Sequence, residues 1–276
     1  MLLGAWLVGQ YDPDAWVAEL KKRNYRAAFF PADHTAAGDA VDGYVRAAAK
    51  AGIVIAETGA WSNPLSADEA VRKEALATCK AELALSEHIG ARCCVNISGS
   101  RGARWDGPDP RNLTDETFDM VVATVREIVD AVRPKRTFYT LEPMPWMYPD
   151  TTESYLRLIK AVDRKAFAVH FDPVNMISSI DAYFHNDRLI RDFLTTLGPY
   201  VKSCHAKDIS LSDTLTVHLS EVIPGQGTLS YRTYLSELTK LPADTPLMIE
   251  HLKTNEDFDQ AAGHIRGVAS ELGISL

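Results

Sequence analysis

Eight short apolar runs, each followed by a stretch with helical apolar spacing, restrict the fold of this chain more than any other feature. The runs are LLGAWLV, AAFFPAD, GIVIAETG, ARCCVNIS, TFYTLEP, FAVHFDP, VKSCHAKD and PLMIEHL. The segments after them, such as SADEAVRKEALATCKAELALSEHIG and LTDETFDMVVATVREIVDAVRP, place apolar residues three and four apart, as a helix packed on one face requires. Helix punctuation agrees: Asp12-Pro13 reads as cap and first helical residue, Thr151 or Thr152 as a cap, and Pro134 as a stop. The runs are apolar on both parities, which suits parallel strands covered outside by helices and filled inside by side chains. An open, doubly wound sheet would carry a glycine-rich turn after its first strand, and GQYDPD has none. The expected fold is α/β, a closed (β/α)8 TIM barrel forming a single domain over residues 1–276.

Four of the last runs end on polar, ligand-type side chains. FYTLEP closes on Glu142, FAVHFDP on Asp172, VKSCHAKD on His205 and PLMIEH on Glu250, at separations of 30, 33 and 45 residues. Those separations match successive βα units, so the four belong at the carboxyl-terminal rim, where such barrels keep their chemistry. Three carboxylates and an imidazole around one small space would repel one another, and a divalent cation is the ordinary remedy. Ser203, His205 and Lys207 alternate along their run and share a face.

Composition removes several classes of partner. A formal charge of −8 and a pI near 5.5 oppose nucleic acid, whose binding needs basic surface. Cys79, Cys93, Cys94 and Cys204 lie in apolar runs without framework spacing and read as buried thiols of a reducing compartment. MLLGAWLVGQ lacks a basic flank and is too short for export or membrane insertion. The expectation is a cytoplasmic protein with a small-molecule partner, no nucleic acid and no membrane, and with homo-oligomers allowed.

LEPMP, HFDPVN, CHAKD, IPGQGTLSY and MIEH, in that order at βα spacing, resemble the xylose-isomerase-like sugar isomerase and epimerase superfamily. The resemblance implies one divalent ion held by Glu142, Asp172, His205 and Glu250, with Mn preferred and Mg, Co or Zn allowed. It also implies that Glu142 and Glu250 exchange protons with a keto-sugar or polyol on opposite faces. Removing a proton beside a carbonyl builds negative charge on the oxygen, which a cation stabilises by several kcal/mol. Returning the proton to the same carbon gives an epimer and to its neighbour an isomer, whereas loss of a hydroxyl gives dehydration or another β-elimination, on a keto-sugar or an inosose for instance. A catalytically silent carbohydrate-binding barrel is the alternative of another class. Ketose 3-epimerases of the superfamily carry a second acid, a His and an Arg where this chain has Tyr148, Asn175 and Leu211, so its substrate-gripping set is expected to differ.

The expected substrate contacts are Lys207, Asn175, His170, Trp6, Glu57 and Trp105. His170 shares the inward parity of Asp172 but lies deeper, as a partner behind the ligands or a structural histidine. Glu57 and Asn96 stand near strand ends, where capping is as good an account as pocket lining. His34, Arg101 and Arg104 fall in loops expected over the same rim, Trp61 and Trp146 near strand ends, and the Gly225-Gln226-Gly227 turn could offer backbone N–H groups.

Overall fold

The computed structural model describes residues 1–276. In chain order its elements are β1 (Leu2–Ala5), α1 (Pro13–Lys22), β2 (Ala27–Phe29), α2 (Gly38–Ala51), β3 (Val54–Gly59), α3 (Glu69–Ile89), β4 (Cys93–Asn96), α4 (Asp115–Val132), β5 (Phe138–Leu141), α5 (Thr152–Val162), β6 (Phe167–Phe171), α6 (Ile180–Phe184), α7 (Asn186–Leu197), β7 (Val201–Ala206), β8 (Asp208–Leu211), β9 (Leu219–Val222), α8 (Tyr231–Leu238), β10 (Pro246–Ile249) and α9 (Asn255–Glu271). The parallel strands close into a barrel in the order β1-β10-β7-β6-β5-β4-β3-β2, and β8 and β9 form a separate hairpin. These are the eight runs of the sequence, each a strand.

Two compact units divide the elements, residues 1–29, 43–54 and 172–276 in one, and residues 30–42 and 55–171 in the other. In the first, β1 pairs β10 from Leu2↔Pro246 to Ala5↔Ile249, and β10 pairs β7 with Met248 opposite His205. Gly4 stands opposite Met248, and a Cβ there would lie 2.3 Å from the carbonyl oxygen of Ala27 and 2.6 Å from the Met248 sulfur. Only glycine fits at that point. Leu3, Leu20, Leu247, Ile249, Ala262 and Ile265 are fully buried around these strands. In the second unit, β3, β4, β5 and β6 pair in sequence, and Cys79, Leu83, Val95, Ile128, Leu158 and Val162 lock α3, α4 and α5 to them. Each such aliphatic side chain contributes about 1.5–3 kcal/mol by leaving water.

The caps are those the residue types call for. Asp12 accepts the N–H of Ala15, Asp68 those of Ala70 and Val71, and Thr151 forms a reciprocal pair with Ser154. At the other end of α3, Gly90 takes φ +72°, the left-handed stop that glycine adopts at low cost.

Two features depart from the sequence expectation. The segment IDAYFHNDRLIRDFLTTLG makes two helices that meet at His185, so nine α-helices accompany the barrel. Its cause is Asn186, whose buried amide donates to the carbonyls of Tyr183 (2.8 Å) and Thr228 (3.2 Å) and accepts the N–H of Ser230 (2.8 Å). The stretch after Lys207, where LSDTLTVHLSEVIPGQG reads as a loop in the sequence, folds into the β8–β9 hairpin with Ile209 opposite Glu221.

Candidate metal centre

Asp172 and Glu250 are the first residues past β6 and β10, and His205 is the penultimate residue of β7. A strand end is where the ladder releases the backbone while the preceding residues still fix the direction of the side chain. One carboxylate oxygen each of Asp172 and Glu250 and a ring nitrogen of His205 lie within 4.8 Å of one another. His205 Nδ1 is 2.7 Å from Glu250 Oε1 and 3.4 Å from Asp172 Oδ2. All three residues are buried, Asp172 and His205 completely.

Lys207 completes this cluster. Its side chain is buried, and Nζ lies 2.5 Å from Glu250 Oε1 and 2.7 Å from Asp172 Oδ2, with Asn175 Oδ1 at 3.5 Å and Glu221 Oε2 at 3.9 Å. Two carboxylates cannot both stay ionised in a buried space without a cation near them, and here the ammonium supplies that charge. Burial alone would push the Glu250 carboxyl up, but the positive charges of His205 and Lys207 override it and hold the group down at about 2. The other oxygen of Asp172 accepts the N–H groups of Val174 and Asn175, which fixes the carboxylate plane. Two carboxylates and an imidazole converging in a buried space form a donor set that could hold a divalent metal ion.

The backbone beneath these groups is braced by tyrosines. Tyr234 and Tyr231, one turn apart on α8, donate their hydroxyls to the carbonyls of His205 (2.9 Å) and Lys207 (2.7 Å). In the second unit the hydroxyl of Tyr155 lies 2.5 Å from the carbonyl oxygen of Leu141 and accepts the N–H of His170 at 3.0 Å. That tyrosine ties the end of β5, which Glu142 follows, to β6. Glu142 is buried and takes its own N–H to the carbonyl of Asn96 (2.8 Å).

The other expected rim residues divide clearly. Asn175 stands beside Lys207. Glu57 and His170 form a buried pair, Oε1 to Nε2 at 3.2 Å. Trp6 is 43% exposed with its ring 6.3 Å from that of Phe29, and Trp105 is 39% exposed in its loop. Asn96 straps β4 to the loop after β3 through both the N–H and carbonyl of Ser62. His34 is tied to Glu82, whose Oε1 meets both its N–H and its ring, and Arg104 to Asp106. Trp146 donates its indole N–H to the carbonyl of Asp106, and the Trp61 indole covers Gly59.

The Gly225 and Gly227 N–H groups have an owner within the protein: both go to Asp208 Oδ2, at 2.9 and 3.1 Å, while Asp208 Oδ1 takes those of Ile209 and Leu229 at 2.8 Å. A Cβ on Gly227 would stand 2.3 Å from Asp208 Oδ1, so the glycine is needed for close approach. Sequence reasoning missed Asp208, Glu221, Tyr231 and Tyr234. The tyrosines carried a signal, three apart on an amphipathic helix, but a buried aromatic at such a position ordinarily serves packing alone.

Against this geometry the comparisons are consistent. The family model described as "Xylose isomerase-like TIM barrel" matches residues 15–268, and the chain belongs to that family. A search of curated proteins finds no match. Among solved structures, a D-tagatose 3-epimerase-like protein aligns with a TM-score of 0.74 at 19% identity, covering 99% of this chain and 98% of the other. The probable 3-DHS dehydratase involved in petrobactin synthesis from Bacillus anthracis also gives 0.74, at 14% identity over 98% and 99%. A xylose isomerase-like TIM barrel protein from Mycobacterium smegmatis in complex with magnesium gives 0.67, at 16% over 98% and 96%. At these identities the likeness is one of fold. No helix is long and apolar enough to cross a membrane.

Proposed function

We propose that the protein is a divalent-metal-dependent enzyme acting on a keto-sugar or polyol as an isomerase or epimerase, built on one barrel domain. The observation that carries the reading is the buried convergence of Asp172, His205 and Glu250 at the ends of their strands, with a cation already required between the carboxylates. Glu142 is the proposed fourth ligand. It is buried, follows β5 as Asp172 follows β6, and those strands are neighbours in the barrel. The magnesium complex of a protein with the same fold supports a hard or borderline ion here, and Mn is our preferred one.

A bound ion would polarise a substrate carbonyl and offset the negative charge that grows there. The chain supplies the rest. Glu142 and Glu250 are the proposed proton-transfer pair, His205 and Asp172 hold geometry, and the tyrosines of α8 keep the β7 backbone from shifting beneath them. Lys207 and Asn175 are proposed to meet substrate oxygens. His170 and Glu57 would orient groups behind the ligands, and Trp6 and Trp105 would give apolar faces for a sugar ring. The free, buried cysteines fit a reducing, cytoplasmic setting.

Incubating the Mn-loaded protein with a panel of ketoses in deuterated water tests this. Deuterium at the carbon beside the carbonyl with a new epimer or isomer supports the reading. Exchange accompanied by loss of water would assign dehydration instead, and no exchange with any substrate would reject proton-transfer chemistry.

A further inference from the structure

The ammonium of Lys207 stands where a metal would have to be. Two of its partners, Asp172 Oδ2 at 2.7 Å and Glu250 Oε1 at 2.5 Å, are the same oxygens that His205 Nδ1 faces at 3.4 and 2.7 Å. An ammonium and a divalent ion cannot both lie within bonding distance of one pair of largely buried carboxylate oxygens, because their mutual repulsion is weakly screened there. Two further oxygens stand near the ammonium. Asn175 Oδ1 is already 3.5 Å from Nζ, and Glu221 Oε2, on the β8–β9 hairpin, is 3.9 Å away. Glu221 is itself paired with the His251 ring, Nδ1 to Oε2 at 3.0 Å.

We propose that Lys207 is the tethered counter-cation of the metal-free centre, and that an incoming divalent ion displaces its ammonium onto Asn175 and Glu221. This rests on the reading of the cluster as a metal centre. The lysine bridges the two carboxylates when no metal is bound and weakens metal binding by competing for the same oxygens. Once displaced, its charge faces the mouth of the site, next to the hairpin.

Calorimetric titration with MnCl2 of wild type, Lys207→Met, Asn175→Ala and the double variant tests the proposal. Removing the competitor should tighten Mn binding at least about tenfold, while the metal-free protein melts at a lower temperature and recovers on adding Mn. Asn175→Ala, which changes no charge, should weaken Mn binding about threefold or more in the presence of Lys207 and have no effect in its absence. Equal or weaker Mn affinity in Lys207→Met overturns the proposal while leaving the metal centre in place. If Lys207→Met does not fold without metal, wild-type affinity in Asn175→Ala overturns it by itself. Absence of Mn binding in both wild type and Lys207→Met removes the metal centre and this inference with it.

Discussion

The hydroxyl of Tyr234 donates to the main-chain carbonyl of His205 across 2.9 Å, inside the barrel wall and fully buried. A helix residue thus holds the strand segment that carries the imidazole, and Tyr231 repeats the device on Lys207. Tyr234→Phe keeps the ring and leaves one buried carbonyl without that donor, so unfolding should become easier by about 1–3 kcal/mol. The same substitution in a metal titration should lower Mn affinity modestly, and an unchanged melting temperature would contradict the bracing role.

The two kinds of site residue should separate on substitution. Asp172→Asn and His205→Ala should lose Mn first, read by calorimetry, and activity as a consequence. Glu142→Gln and Glu250→Gln keep an oxygen but no basic carboxylate, so turnover should fall about 10² to 10⁴-fold while metal remains measurable. Near-normal turnover in both Gln variants would move the acid/base role to another residue at the rim.

Asp208 predicts a local defect with a global reading. Its buried carboxylate accepts four backbone N–H groups, three from the turn that ends at Leu229 and one from the adjacent Ile209, each bond to a charged acceptor being worth about 1.5–3 kcal/mol. Asp208→Ala should lower the melting temperature by several degrees and speed hydrogen exchange at Gly225, Gly227 and Leu229 before other sites. Uniform exchange changes would mean the carboxylate does not order that turn.

Glu87 gives a pH dependence. Burial tends to raise its carboxyl, but the N–H groups of Lys135, Arg136 and Thr137 pointing at it hold it below the usual carboxylate range. A depressed folded-state pKa stabilises the protein above the unfolded value, and that contribution is lost as pH falls through the folded one. The stability difference between wild type and Glu87→Gln should therefore be full at neutral pH and shrink as acid is added below the ordinary carboxylate pKa. A difference that stays constant down to the acid transition would refute it.

The cysteines offer a simpler check. Cys79, Cys93, Cys94 and Cys204 are free and buried, and burial pushes the Cys94 thiol well above its ordinary value, away from the reactive thiolate. A thiol reagent should find none of them in the native protein and all four in denaturant.

How far the sequence reached follows from which forces act locally. Strand and helix order was legible because periodicity and caps are short-range signals. Asp12, Thr151 and Pro134 act within a turn of themselves, and the barrel then follows from parallel strands that must be covered on both faces. The ligand-type residues were legible for a related reason: Glu142, Asp172, His205 and Glu250 each end an apolar run, and strand ends in such a fold share one rim. Tertiary structure alone decided the rest. Asn186 breaks a helix by bonding to residues more than 40 positions away, and Asp208 claims N–H groups that looked available to a ligand. Above all, the sequence placed Lys207 at the rim with two readings open, a substrate-facing cation or a salt bridge to a ligand carboxylate. A side chain with four rotatable bonds reaches several partners from one backbone position, and only the packed fold selects Asp172 and Glu250 among them.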